Sequence, residues 1–275
     1  MEVLEEVEVK QNQINFDFLN ENATQTLEQA ESFDWVAQET LVVIVKSNKF
    51  VPSNFEICGK KVVDWVAMAA SGCDQKFVDD FNEDEILDVI RPYAEGYNFV
   101  AVLYSDCPLL QKQTFLEIMQ YFSTNRQNVL KLIRGFVFRS EFLKTAKVMM
   151  STNSEEFNKQ DFVVVDDAVK VSYAFKVLND RILDYHKKNG VVIFGESTVF
   201  IDADVEIEAG AIIYPNNIIK GESYIGKTVT IESGNYISDT IVCDDAFVVQ
   251  SYLEKSKVES GKTVGPFVKL INERI

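Results

Sequence analysis

The chain has 275 residues, 47% of them hydrophobic and 25% charged, which is enough apolar material for one large core or two smaller ones and argues against a disordered or fibrous protein. A formal charge of -16, without any Lys/Arg stripe interleaved with aromatics, opposes the phosphate neutralisation that nucleic-acid binding needs, so nucleic acid is discounted as a partner and solubility accounts for the charge. No apolar run approaches the roughly 20 residues of a membrane span, and Glu2, Glu5, Glu6 and Glu8 are unlike a basic secretion signal, so the expectation is a cytoplasmic protein without a membrane partner.

Residues 1 to 38 form an acidic, weakly patterned N-terminal extension, a peripheral helix or a flexible arm. From 39 to 167 short apolar runs alternate with helical patterns. "LVVIV" (41 to 45), "FVAVLYS" (99 to 105) and "GFVF" (135 to 138) read as buried strands, and helical spacing occupies about 60 to 70, 83 to 94 and 112 to 123. That alternation predicts a mixed α/β sheet with mainly parallel central strands, whose ligands sit at the strands' carboxyl ends. Asp106 lies at one such end. Cys58, Cys73, Cys107 and Cys243 are scattered and lack a C-x-x-C pair, so they read as reduced core thiols rather than as a zinc site or a disulfide framework.

Val171, Ala174, Phe175, Val177, Leu178, Ile182 and Tyr185 recur at helical spacing, predicting an amphipathic linker helix within 168 to 190 that Asn189-Gly190 stops. His186, in its last turn, is expected to act as a cation against the helix dipole rather than as a base.

From 191 to 275 a period of six takes over. Ile201, Ile207, Ile213, Ile219, Ile225, Ile231 and Ile237 fill its first position, with Cys243 and Val249 next in line. Such a period suits a coil of short flat strands joined by turns, each hexad forming one face of a triangular prism with the isoleucines stacked inward. Val205, Ala211, Ser223 and Val229 fit crowded corners, and Gly210, Gly221, Gly226 and Gly234 supply turns. After Val249 the beat slips by three and continues through Tyr252, Val258, Val264 and Leu270. The exposed faces and open end of such a prism call for covering, and by fold analogy the expected partner is a second and third copy, a homotrimer.

"KNGVVIFGESTVFIDADVEIEAGAIIYPNNIIKGESYIG", followed by "VGPFVKL", closely resembles the bacterial bifunctional N-acetylglucosamine-1-phosphate uridylyltransferases over residues 165 to 270, and more weakly back to about residue 40. The resemblance implies a nucleotidyltransferase-like, Rossmann-like α/β domain, a linker helix and a left-handed parallel β-helix of hexapeptide repeats. "YSDCPLL" is similar to the family's G-D-x-P-L stretch, whose Asp binds magnesium, which gives Asp106 that role. An ungapped count places Asp166 of "VVVDDAVKVSYA" at the second metal ligand, an Asn in the family. For each, the plain structural alternative is an Asp that caps a turn. Magnesium held by one or two protein oxygens and completed by phosphates and water is what nucleotidyl transfer needs.

Other family features are missing. The glycine-rich nucleotide loop ending in Pro-Lys has no match in the twelve residues between Lys46 and Gly59, which contain no glycine, and Ser53 follows Pro52 where lysine is expected. Without glycine and cations a triphosphate's charge lacks compensation. No counterpart to Q-x-x-x-x-G-T-x-x-A lies between Trp65 and Tyr97, although "RGFVFRSEFL" is similar to the family's G-x-Y-V-F strand and helix. The acetyl-transfer residues of the family lie beyond "GPF", and the chain ends at Ile275, so acetyltransferase activity is expected to be absent.

Three readings follow. The first is a degenerate relative with catalysis lost or reduced, still binding a sugar phosphate, a nucleotide or a partner. The second is a working magnesium-dependent enzyme joining UTP or another nucleoside triphosphate to N-acetylglucosamine-1-phosphate or a related sugar phosphate, with Lys46, Lys49 or Lys60 replacing the lost cations. The third is a non-catalytic oligomeric scaffold.

Overall fold

The computed structural model describes residues 36–149 and 157–275; nearly all of the acidic extension expected over 1 to 38 lies outside the described residues. The chain divides into two compact units, and the division, between Asp180 and Arg181, falls inside a single helix.

The first unit is built on a five-stranded sheet. Its strands are Thr40–Lys46 (β1), Asp74–Asp79 (β2), Phe99–Tyr104 (β3), Val129–Leu132 (β4) and Gly135–Arg139 (β5), in the spatial order β2-β1-β3-β5-β4. β1 pairs in parallel with β2 and β3, whereas β5 runs antiparallel to both β3 and β4. The expected parallel centre is present, with an antiparallel hairpin beside it.

β1 and β3 are apolar without alternation because both of their faces are covered. Val42, Ile44, Ala101 and Leu103 pack with Val66 of helix Val62–Ala69 (α1) and with Phe115, Ile118, Met119 and Phe122 of helix Lys112–Thr124 (α3). Leu41, Val43, Val45, Val100 and Val102 pack on the opposite side with Ile86, Leu87 and Ile90 of helix Ile86–Ile90 (α2) and with Leu143 of helix Ser140–Thr145 (α4). The pattern at 83 to 94 is a broken helix: α2 is flanked by single 3-10 turns at Glu83–Glu85 and Arg91–Tyr93, the latter holding Pro92, which cannot donate a helical hydrogen bond.

β2, "DQKFVD", escapes the apolar reading because it is an edge strand whose residues are mostly solvent-facing, and charge on an edge discourages pairing with other chains.

Helix Ala168–Lys188 (α5) ends as expected. The Gly190 N–H donates to the Lys187 carbonyl and the Val191 N–H to that of His186, with Gly190 at φ +88, the left-handed cap that terminates many helices. His186 differs from the expectation. It is buried, no hydrogen bond reaches its Nδ1, and burial pushes its pKa down to about 4, so at neutral pH it is an uncharged core side chain and not a cation on the dipole.

In the second unit short parallel strands stack in three sheets, two of five strands and one of four. Parallel registers pair Ile201 with Ile219, Ile219 with Ile237, Ile207 with Ile225, and Ile213 with Ile231, and all seven isoleucines are buried, as the hexad reading requires. The beat is corrected after Ile237. The inward residues are Val242, Val248 and Leu253, then Val258, Val264 and Leu270, while Cys243 and Tyr252 are only partly buried. Three turns are one residue shorter than a strict hexad allows, so the slip is distributed instead of arriving in one step after Val249.

Non-glycine residues in the left-handed region carry many of the corners, among them Asn216, Asp239, Asp245 and Asn272, residue types whose short polar side chains tolerate it; Gly226 is not in that region. Inside the prism, the Asn217 Oδ1 accepts from the Asn235 backbone N–H at 2.9 Å, and the Asn235 Oδ1 accepts from that of Ser251 at 2.8 Å. This ladder satisfies backbone donors that the corners leave buried.

Candidate functional site

β1 connects to β2 on one side and β2 crosses back to β3 on the other, so the strand order reverses between β1 and β3, where a crevice is expected beyond their carboxyl ends. The crevice floor is tied shut. The Ser47 N–H donates to the Ser105 Oγ at 2.9 Å, and the Ser105 N–H donates to the Val45 carbonyl at 2.9 Å.

Asp106 follows directly and is only 5% exposed. Facing it is Arg134, which sits with Ile133 in the two-residue turn between β4 and β5, where Leu132 pairs with Gly135. The Arg134 Nε donates to the Asp106 Oδ1 at 3.1 Å and its Nη2 donates to the Oδ2 at 2.8 Å, a two-pronged, charge-assisted pair. The guanidinium also lies over the Tyr104 ring, 3.7 Å from its centroid. Burial opposes the guanidinium's charge, but the hydrogen bonds and charge of Asp106 outweigh it and raise its pKa further.

Gly135 makes this close approach possible. Its φ is +132, and a Cβ there would lie 2.4 Å from the Val102 carbonyl oxygen, so the turn can press Arg134 against β3 only with glycine at this position. Beside Asp106, burial and then the neighbouring carboxylate push the Cys107 thiol well above its ordinary pKa, which makes it an inert core thiol.

Asp166 is brought close through the backbone, since the Val165 N–H donates to the Asp106 carbonyl at 2.8 Å. Its carboxylate meets a different cation. Lys170 Nζ donates to the Asp166 Oδ1 at 2.5 Å, a bond that lowers the Asp166 pKa, with a smaller contribution from the charge of Lys49. Asp167 is the capping residue, its Oδ1 accepting from the Lys170 backbone N–H at 2.8 Å at the start of α5.

Magnesium requires oxygens free to converge on an octahedron. Here both oxygens of Asp106 accept from Arg134, and Asp166 is paired with Lys170. This donor set does not fit a divalent cation.

The segment after β1 folds back on itself. The Asn48 Oδ1 accepts from the Ser53 N–H at 3.0 Å, the Pro52 carbonyl accepts from the Phe55 N–H at 2.8 Å, and Glu56–Ile57 pairs antiparallel with Lys60–Lys61 across Cys58 and Gly59, both at positive φ. The Trp65 indole N–H of α1 locks this hairpin by donating to the Ile57 carbonyl at 2.9 Å. The Ser53 and Phe55 backbone donors are thus used internally.

Lys46 closes β1 and Lys60 belongs to the hairpin. Of the three predicted lysines, Lys49 lines an open cleft of about 540 Å³ together with Tyr104 and Arg134, and that cleft also carries Asp80, Glu83 and Glu85. The structure thus places Asp106 and Lys49 beyond the carboxyl ends of β3 and β1 and adds Arg134, which sequence reasoning missed. The one local signal was an arginine directly before the glycine that opens "GFVF", 28 residues from the acid it meets.

No protein-family model matches the chain. The Bifunctional protein GlmU of Streptococcus agalactiae serotype V is 37% identical over 106 residues, 38% of this chain and 23% of that protein. The Bifunctional protein GlmU of Clostridium botulinum is 35% identical over 127 residues, 46% of this chain and 28% of that protein. Over that part of its length the chain is similar to GlmU proteins. It spans about a quarter of the length of the curated GlmU proteins it matches, 23% and 28% in these two cases. A solved structure of a cytidylyltransferase from Leptospira borgpetersenii shares 11% identity at a TM-score of 0.28, covering 39% of this chain and 62% of the other, a likeness too small to carry an argument. No helix among the described residues is long and apolar enough to cross a membrane.

Proposed function

We propose that this GlmU relative is a non-catalytic protein: a degenerate sugar-1-phosphate nucleotidyltransferase unit joined through α5, as a linker, to a left-handed β-helix that assembles a cytoplasmic homotrimer. Its front unit binds a sugar phosphate, a nucleotide or a partner protein without transferring a nucleotidyl group.

The observation that carries this reading is the commitment of Asp106 to Arg134. Nucleotidyl transfer places several negative charges of a triphosphate beside the reacting phosphorus, and catalysis consists mainly of positioning and neutralising them. Arg134 commits its charge to Asp106, the Ser53 and Phe55 N–H groups after β1 are bonded within the loop, and Lys49 shares its cleft with three acids. The side chains present therefore offer little surplus positive charge to a triphosphate.

The test is direct. Purified protein incubated with UTP, N-acetylglucosamine-1-phosphate and magnesium should release no pyrophosphate, while one of the two ligands, or UDP-N-acetylglucosamine, should raise its melting temperature. Pyrophosphate release abolished by Asp106→Ala would establish the active, magnesium-dependent alternative instead. No release and no thermal shift would favour the scaffold role alone, and light scattering that finds a monomer would remove the trimer.

A further inference from the structure

A carboxylate as buried as that of Asp106 requires a cation, because an uncompensated charge in such a place costs several kcal/mol. The chain supplies that cation in a fixed position. Arg134 is aimed by a two-residue turn, its plane is supported by the Tyr104 ring, and the turn is seated against β3 by Gly135. A guanidinium stays protonated throughout the range in which proteins are folded, so the positive charge is permanent and leaves no dependence on an exchangeable ion.

We infer that Arg134 is an internal replacement for a divalent cation at Asp106, so that the crevice at the β1/β3 strand ends is cation-complete and whatever it binds is bound independently of metal. This inference rests on the non-catalytic reading and specifies the chemistry of the same site. It also makes Asp106 a latent metal ligand. With the guanidinium removed, a buried carboxylate faces a space that a hydrated divalent ion can fill.

Manganese is the probe. The full chain, stripped with EDTA, is titrated with Mn2+ while the free ion is followed by electron paramagnetic resonance, in wild type, Asp106→Asn, Arg134→Ala and the double variant Arg134→Ala/Asp106→Asn. The many surface acids bind Mn2+ weakly in all four, so the differences carry the result. Wild type and Asp106→Asn are expected to superimpose. Arg134→Ala is expected to take up one more equivalent than the double variant, and Mn2+ is expected to restore part of the melting temperature lost on removing the arginine.

If Arg134→Ala does not fold, Arg134→Gln takes its place. An Asp106-dependent Mn2+ equivalent in the wild type overturns the inference, and so does the lack of any gained equivalent in a folded Arg134 variant. Pyrophosphate release that persists in EDTA would sink the non-catalytic reading and leave this inference standing. An Asp106-dependent wild-type Mn2+ site without turnover would sink this inference alone.

Discussion

The guanidinium of Arg134 meets a carboxylate with its N–H edge and a ring with its face: it donates to both oxygens of Asp106 and lies 3.7 Å from the centroid of Tyr104. A strand end that reads in sequence as a lone acid is thus an ion pair, and the pair joins β3 to the β4/β5 turn.

Breaking it from one side should be costly. Arg134→Ala leaves the Asp106 charge buried without a partner and is expected to lower stability by about 3 kcal/mol, the low end for breaking a buried pair. Replacing both residues, as Arg134→Met/Asp106→Leu, should recover much of that loss, because an apolar pair of similar volume carries no desolvation penalty. Urea denaturation of wild type, Arg134→Met, Asp106→Leu and the double variant measures the coupling; additive losses would contradict a direct pair.

Gly135→Ala tests the turn that aims Arg134. The new methyl would meet the Val102 carbonyl oxygen at 2.4 Å in a backbone conformation that disfavours side chains. The expected cost is about 2 kcal/mol or more, in line with conformationally incompatible substitutions. A neutral result in thermal melts would mean that the turn relaxes freely.

His186 gives the second unit a pH dependence. Burial holds its pKa at about 4 in the folded chain, against 6.5 for an ordinary histidine. As pH falls below 6.5 the unfolded chain takes up a proton that the folded chain refuses, so unfolding gains ground until pH reaches about 4. At roughly 1.4 kcal/mol per pH unit the full effect is about 3 kcal/mol, absent above pH 7 and growing toward acid. Comparing wild type with His186→Leu by urea denaturation at pH 7 and pH 5 isolates it, since the carboxylates are common to both. Equal slopes would show that His186 is not buried as a neutral side chain.

The corrected register of the prism can be checked by truncation. Leu253 is fully buried, whereas Cys243 is partly exposed. Leu253→Ala should cost about 2 to 5 kcal/mol through lost transfer energy and the cavity left behind, and Cys243→Ala less than about 1 kcal/mol. Similar losses at the two positions would restore the uninterrupted hexad beat.

The internal ladder offers a polar counterpart. Asn235→Ala removes the acceptor of the Ser251 N–H and leaves that buried donor unpaired, while the Asn217 Oδ1 keeps the Asn235 backbone N–H. A loss of about 2 to 3 kcal/mol is expected, because a buried orphan loses its full desolvation compensation. Faster amide exchange at Ser251 in the variant would locate the damage.

Periodicity alone was enough for the repeat unit, because stacking identical coils demands the same apolar residue at the same place each time. Ile201 to Ile237 repeat the beat without a break, and Asn189-Gly190 announces the end of α5. Val42, Ile44 and Leu103 declared a doubly covered sheet by their unbroken apolar runs. The same rules failed where a local pattern has no marker of its own: the polar edge strand Asp74–Asp79, and the shortened corners that move the inward position from Cys243 to Val242.

At the site the limit was different. Sequence by itself determined that Asp106 stands at a strand end and that the loop after β1 lacks glycines, since both are properties of contiguous residues. Only the tertiary structure decided what meets the carboxylate. Arg134 is 28 residues away along the chain, and it reaches Asp106 only because β5 pairs with β3 and a two-residue turn folds the guanidinium over their shared edge. Hydrophobic periodicity is written locally in the chain, whereas the partner of a buried charge is chosen by strand pairing across it.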